Sequence, residues 1–160
     1  MDYRRIGTTE LEVSVLGFGL WTISSEGWGK IDEADSLNLL REARHLGVTF
    51  FDTAEFFGEG YGEEILGKAL SSYRHELTIG TKVIYDRYDT RLAKESRTIG
   101  KNLVSTGIRQ HCEQSLRRLK TDYIDLYQIS TPLSYLAIDE RQDLFEILHA
   151  LVKEGKVRYI

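Results

Sequence analysis

Gly47-Val48-Thr49-Phe50-Phe51-Asp52-Thr53-Ala54-Glu55-Phe56-Phe57-Gly58 is the stretch on which the fold turns. Gly47 closes a helical pattern behind it. Val48–Phe51 is an apolar run too short for a helix, and an aspartate follows at once. Such a run, fed by a helix and leaving into a loop, reads as the central strand of a βαβ unit. Upstream, Asp32 is placed to cap a helix over Glu33–Leu46, with Ala34, Leu37, Leu40, Ala43 and Leu46 as its apolar stripe. Before it, Val15–Phe18 is a short strand running into glycines. A hairpin, Tyr3–Ile6 and Leu11–Val15, flanks the turn Gly7-Thr8-Thr9-Glu10.

Downstream the alternation continues. Glu63–Leu70 reads as a helix, Leu77–Val83 as a third strand, and Ile84 to Val104 as a long polar stretch. Ser105 or Thr106 then caps a helix to Leu119 whose apolar face is Ile108, Cys112, Leu116 and Leu119. Tyr123–Ile129 is the fourth strand, and Asp139–Lys153 a helix with Leu144, Ile147, Leu148, Leu151 and Val152 inward. Gly155 stops it, and Val157–Ile160 starts a fifth strand. The reading is one α/β domain over residues 1–160 with a parallel sheet. Four units and a stub make half of an eight-unit barrel, although periodicity alone also fits a small, open, doubly wound sheet.

Composition narrows the function. The 160 residues include 21 Lys plus Arg against 25 Asp plus Glu, a net charge of −4, so a nucleic-acid partner is not expected. The single cysteine, Cys112, excludes an intrachain disulfide framework and points to a reducing compartment. No apolar run approaches a membrane span, and Met1-Asp2-Tyr3-Arg4-Arg5 leads into no apolar segment, so a cytoplasmic protein with no membrane partner is expected.

The opening stretch, continued by Glu63-Glu64-Ile65-Leu66-Gly67-Lys68-Ala69-Leu70, resembles the aldo-keto reductase family. Gly17-Phe18-Gly19-Leu20-Trp21, Gly80-Thr81-Lys82-Val83, Ser115-Leu116-Arg117-Arg118-Leu119, Asp122-Tyr123-Ile124-Asp125-Leu126-Tyr127 and Glu154-Gly155-Lys156-Val157-Arg158-Tyr159-Ile160 carry the same resemblance, in the family's order. The resemblance implies a TIM barrel, of which this chain would be the N-terminal (β/α)4 half, with a β-hairpin closing its bottom and a fifth-strand stub. It also implies NADPH delivering hydride to a carbonyl, a tyrosine protonating the oxygen, a lysine and an aspartate tuning that tyrosine, and a histidine orienting the substrate. A phenol of pKa ~10 needs a nearby cation to exchange protons near neutrality.

Carried over residue by residue, the aspartate is Asp52 and the lysine Lys82. The tyrosine position holds Phe57, and the histidine position holds Ser130, followed by Thr131-Pro132. Phe57 keeps the ring and loses the hydroxyl. Ser130 has neither the reach nor the pKa of an imidazole. Tyr61, four residues beyond Phe57 along the same loop, is the phenol that could turn toward the cleft in its place, with an exposed loop position as its plain reading. The resemblance places the family's nicotinamide and adenosine-phosphate contacts beyond Ile160. No NADP(H) site is therefore expected on this chain alone, with Gly19, Leu20 and Trp21 supplying only its edge. Gly27-Trp28-Gly29 is no dinucleotide fingerprint.

Asp52 and Lys82 read equally as an inherited ion pair or as an acid–base pair. His45, His75, His111 and His149 fall on helices or at their ends and read as surface or packing residues, with no metal spacing. Asp122 and Asp125 read as turn or capping residues, and Arg87, Arg91, Lys94 and Arg97 as a solvated basic loop. A half barrel has two free strand edges, so a homodimer through those edges is expected. Three functions stay open. The first is non-redox lyase, isomerase or cyclase chemistry through Asp52 and Lys82. The second is a pseudoenzyme that binds a small molecule. The third is a fragment of an NADPH-dependent carbonyl oxidoreductase.

Overall fold

The hairpin pairs Tyr3–Arg5 (β1) with Glu12–Ser14 (β2), antiparallel, with Tyr3 opposite Ser14. The computed structural model describes residues 1–24, 29, 31–84, 102–130 and 138–160, with 102–106, 139 and 140 described by backbone alone. The hairpin is fastened to the sheet by a reciprocal pair. The Ser14 N–H donates to Thr49 Oγ1, and the Thr49 N–H donates to Ser14 Oγ, both at 2.9 Å. Thr49 stands just before Phe50–Asp52 (β4), so the hairpin covers the strand's N-terminal end, with Leu11 and Val13 buried beneath it.

Five strands form the parallel sheet. They are Gly17–Gly19 (β3), β4, Thr78–Val83 (β5), Ile124–Ile129 (β6) and Val157–Tyr159 (β7), hydrogen-bonded in that order. Glu33–His45 (α2), Tyr61–Leu70 (α3), Asn102–Leu119 (α4) and Ile138–Lys153 (α5) cross between them. A single turn, Trp21–Ser24 (α1), follows β3, and a 3₁₀ segment, Ser71–Glu76, extends α3. The sequence reading contained neither.

The register separates two faces. Phe51 pairs with Ile79 and Thr81 with Tyr127, and these four are buried toward the helices. Lys82 pairs with Gln128, and Asp52 with Gly80, on the other face. Along a strand the faces alternate, so Tyr127 and Lys82 point to opposite sides. The helix side holds one apolar cluster built on Leu40, Phe51, Ile65, Leu66, Ile108, Tyr127, Leu144 and Leu148. Each of the fully buried Leu, Ile and Phe side chains in it contributes about 1.5–3 kcal/mol.

Asp32 caps α2, its carboxylate accepting the Asp35 N–H at 2.8 Å. The apolar stripe of α2 is narrower than expected, however, because Ala34 and Leu46 are exposed and Ser36 is buried instead. The Ser36 hydroxyl donates to the Asp32 carbonyl at 2.9 Å, which lets a small polar residue face the sheet without loss. Ser105 and Thr106 do not cap α4. They lie inside a helix already formed at Asn102, so the polar stretch loses its last residues to helix. The face of α4 is buried as read from the sequence, and so is that of α5 except Val152, which is only partly buried at the end of its helix. Gly27 and Trp28, the basic set Arg87, Arg91, Lys94 and Arg97, and the dipeptide Thr131-Pro132 lie outside the described residues.

Asp125 corrects another expectation. It is no turn residue but a wholly buried carboxylate near the start of β6. It accepts from Arg74 Nη2 at 2.7 Å, from Arg158 Nη1 at 2.8 Å and from the Ile79 N–H at 2.9 Å. Arg74 is itself buried and also donates to the Leu77 and Tyr123 carbonyls. One carboxylate thus joins β5, β6, β7 and the 3₁₀ segment.

At α3 the chain meets α4 at backbone distance. A Cβ on Gly67 would stand 2.3 Å from the Arg118 carbonyl oxygen, so only glycine permits this approach. Behind the sheet, the buried Glu63 of α3 accepts from Thr81 Oγ1 and from Arg118 Nε of α4, both at 2.6 Å. A buried carboxylate persists because both of its oxygens are bonded.

Candidate functional site

Asp52 ends β4 and Lys82 stands near the end of the neighbouring β5, so both project at the C-terminal edge of the sheet. That edge is where parallel barrels place their chemistry. The structure brings the two together. Lys82 Nζ donates to Asp52 Oδ1 at 2.6 Å, to Asp52 Oδ2 at 2.7 Å and to the Thr53 carbonyl at 2.9 Å. An ammonium has three N–H groups, and all three are engaged. The pair is half-buried.

Phe57 completes the wall beside it. Its ring centroid lies 5.1 Å from Lys82 Nζ, within cation–π range. Trp21 meets the Phe57 ring edge-on at 4.9 Å, and Phe56 does so at 5.1 Å. The loop holding Phe57 is fixed at Gly58, whose φ is +61° and whose Cβ, if present, would lie 2.5 Å from the Ser24 carbonyl oxygen. Trp21 and Gly19 are exposed at this edge. Leu20 is wholly buried in the core and lines no open surface, while its N–H donates to the Asp52 carbonyl at 2.9 Å. Tyr61 is not an exposed loop residue. It opens α3, half-buried against the core cluster. Ser130 follows β6, exposed, its N–H donating to the Val83 carbonyl at 2.8 Å.

Two residues at this edge escaped the sequence reading. Gln128 shares the rung and the face of Lys82. Glu55 pairs with His111, Oε2 to Nδ1, at 2.5 Å, and both side chains are nearly buried. The Glu55 N–H donates to the Lys82 carbonyl at 3.1 Å. His111 is therefore not a plain surface or packing histidine. It ties α4 to the loop that carries Phe57. The signal available was the lone imidazole on an otherwise apolar helical face, and its partner lies 56 positions away, a separation that local pattern does not bridge.

The remaining reactive groups are quiet. Burial, with Glu113 adding to it, pushes the Cys112 thiol up to about 12, so it stays protonated and inert. Burial holds the Tyr127 phenol well above its ordinary range, and Tyr127 lies on the helix side of the sheet, away from Lys82. Among the described residues, no group of three or more His, Cys, Asp or Glu side chains is placed to hold a metal, and no helix is long and apolar enough to cross a membrane.

The fit of a nicotinamide dinucleotide follows from the donors. Its diphosphate needs cations or a cluster of free N–H groups. Among the described residues at the strand ends the cation is Lys82, and its three donors are already spent on Asp52 and Thr53. Among the described residues, the strand-end cation Lys82 is therefore not free to meet that group.

A parallel sheet whose strands β3 to β7 are hydrogen-bonded in chain order, with helices crossing between them, defines the class: the N-terminal half of a (β/α)8 barrel. The chain belongs to the Aldo/keto reductase family, whose model matches residues 15–160. Over 162 residues it is 36% identical to the aldo-keto reductase YhdN of Bacillus subtilis (strain 168), covering 100% of this chain and 46% of that protein. Over 164 residues it is 33% identical to the NADH-specific methylglyoxal reductase of Escherichia coli (strain K12), covering 97% of this chain and 49% of that protein. Among solved structures, the holo form of the aldo-keto reductase AKR11C1 from Bacillus halodurans superposes with a TM-score of 0.77 at 33% identity, covering 99% of this chain and 49% of that one. The chain spans about half the length of the relatives it matches.

Proposed function

We propose that this chain is a member of the family without hydride-transfer chemistry of its own, a pseudoenzyme whose strand-end cleft binds a small carbonyl or hydroxyl compound. One observation carries the reading: the ring beside Lys82 is a phenyl, not a phenol, and Lys82 has no N–H left to give. A carbonyl at this edge would meet an aromatic wall, Trp21 and Phe57, with no proton donor at the tyrosine position. Among the described residues, Gln128 and Ser130 are polar groups placed at this edge to orient a ligand. The same geometry weighs against lyase, isomerase or cyclase chemistry through Asp52 and Lys82. A lysine acting as base or nucleophile needs its nitrogen free to meet the substrate, whereas Lys82 Nζ is engaged by both Asp52 oxygens and the Thr53 carbonyl.

The test is paired. Purified chain is mixed with NADPH and a panel of small aldehydes, following absorbance at the nicotinamide band, and the same compounds are titrated by calorimetry. The expected result is binding of at least one compound and no NADPH oxidation. NADPH-dependent turnover of a carbonyl by the unaltered chain would overturn the proposal. Conversion of a bound compound without cofactor, abolished by Lys82→Met, would move it to acid–base catalysis.

A further inference from the structure

The loop from Ala54 to Gly60 carries the aromatic wall of the cleft. Phe56 and Phe57 are apolar, Gly58 and Gly60 have no side chain, and Glu59 is exposed. Among the described residues, Glu55 is the only member of this loop whose side chain bonds to another element. Its Oε2 pairs with His111 Nδ1 of α4 at 2.5 Å, and its Oε1 accepts the Ile84 N–H, just past β5, at 3.4 Å. Its own N–H donates to the Lys82 carbonyl at 3.1 Å. Glu55 thus joins the loop to β5 and to α4, and it does so at the residue whose Nζ faces the Phe57 ring. Phe57 stands two residues further on, its N–H donating to the Ala54 carbonyl at 3.1 Å. The far end of the link is firm, because the backbone of α4 meets that of α3 at Gly67 with no room for a Cβ.

Packing does not account for an imidazole at this place. His111 borders the apolar face of α4, and its Nε2 is buried with no hydrogen-bond partner among the described residues. A buried nitrogen left unsatisfied is destabilising, and a leucine would fill the space without that cost. Replacing a buried ionic pair by apolar side chains is often neutral or stabilising. A leucine would not, however, select one position of the loop. A hydrogen bond between two nearly buried groups is directional and forms over a narrow range of distance and angle. We propose that Glu55 and His111 are positioning residues of the cleft: their bond holds the Phe57 ring at its place beside Lys82 and so fixes the aromatic side of the ligand site. That the wall borders a ligand site rests on the function proposed above. That the pair places the wall does not, since all of these contacts form within the chain.

Fluorine NMR reads the wall directly and without ligand. 4-Fluorophenylalanine is placed at position 57 in one sample and, in another, at position 18, a partly buried ring on β3. His111→Leu removes the donor and keeps an apolar side chain of similar size. The expected result is a shift or broadening of the position 57 resonance with the position 18 resonance unchanged. His111→Asn, whose Nδ2 donates from about where Nδ1 stands, should return the position 57 resonance to its wild-type place. Glu55→Gln combined with His111→Leu leaves no stranded carboxylate, should shift position 57 as His111→Leu does, and gives the reading where His111→Leu alone does not fold. A position 57 resonance that stays in place in these variants overturns the proposal. So do an equal shift at position 18, failure of His111→Asn to restore the resonance, and loss of folding in the double variant, which would make the pair purely structural. A chain that shows the expected pattern but binds none of the small carbonyl or hydroxyl compounds upholds the positioning role and overturns the function proposed above.

Discussion

Two carboxylates, Asp125 and Asp52, each hold neighbouring strands together through a cation, and the contrast between them is instructive. Asp125 lies near the N-terminal end of β6, wholly buried, gripped by two arginines and a backbone N–H. Asp52 lies at the C-terminal end of β4, half-buried, and among the described residues its carboxylate is gripped by Lys82. The first is architecture: four elements converge on it and no ligand can reach it. The second stands at the edge where a ligand would arrive, next to a loop set by Gly58 and by the Glu55–His111 pair. Pairing with a cation therefore does not by itself set a carboxylate's role, and location in the barrel separates the two.

The comparison can be broken by mutation. Asp125→Ala strands the buried Arg74 charge and should cost about 3–5 kcal/mol, read as a large fall in the urea midpoint. A loss near that of a surface pair would show that Asp125 is not the structural member. Lys82→Met should cost at most about 1 kcal/mol, because the partner carboxylate can turn to water, while ligand affinity at the cleft changes more than stability does. Equal losses from the two variants would erase the distinction. Phe57→Tyr should shift stability by no more than about 0.5 kcal/mol, since the ring packing on Trp21 and Phe56 is kept, and it should place a phenol beside Lys82. The readout is a tyrosine absorbance titration. A new phenol that titrates at its ordinary value would mean that the Lys82 charge does not act on this wall.

The smallest effect concerns a third, exposed carboxylate. Hydrogen bonds from Arg109 and then Lys156 hold Glu154 at about 2, below its ordinary 4.5. A depressed carboxyl contributes stability above its unfolded value and loses it as pH falls toward the folded one. Wild type and Glu154→Gln should thus differ slightly at neutral pH and converge between pH 4.5 and about 2 in acid-unfolding curves. A gap that widens on acidification would reverse the assignment.

Local pattern made most of the fold legible. Val48–Phe51, Leu77–Val83 and the faces of α4 and α5 were readable because burial repeats at the period of strand or helix. Asp52 and Lys82 were readable because the resemblance named both and the register places them on adjacent strands. Asp125 and His111 were not readable. Each takes its meaning from partners far along the chain, and an aspartate at a strand entry looks like a turn until those partners are seen. Ser36 and Ala34 exchanged places for a related reason: a serine that satisfies its own hydroxyl packs as well as an alanine, which periodicity does not register. Short, single-turn elements such as Trp21–Ser24 carry too few residues for any period to show.

Gly67 gives the cleft a mechanical setting. The helices α3 and α4 touch there through bare backbone, with no side chain between them to yield. Seven residues before Arg118, about 10 Å up the same helix, His111 grips Glu55 and with it the loop that carries Phe57. The helix α4 is thus held at two points, against the backbone of α3 at Gly67 behind the sheet and against the wall of the cleft at Glu55.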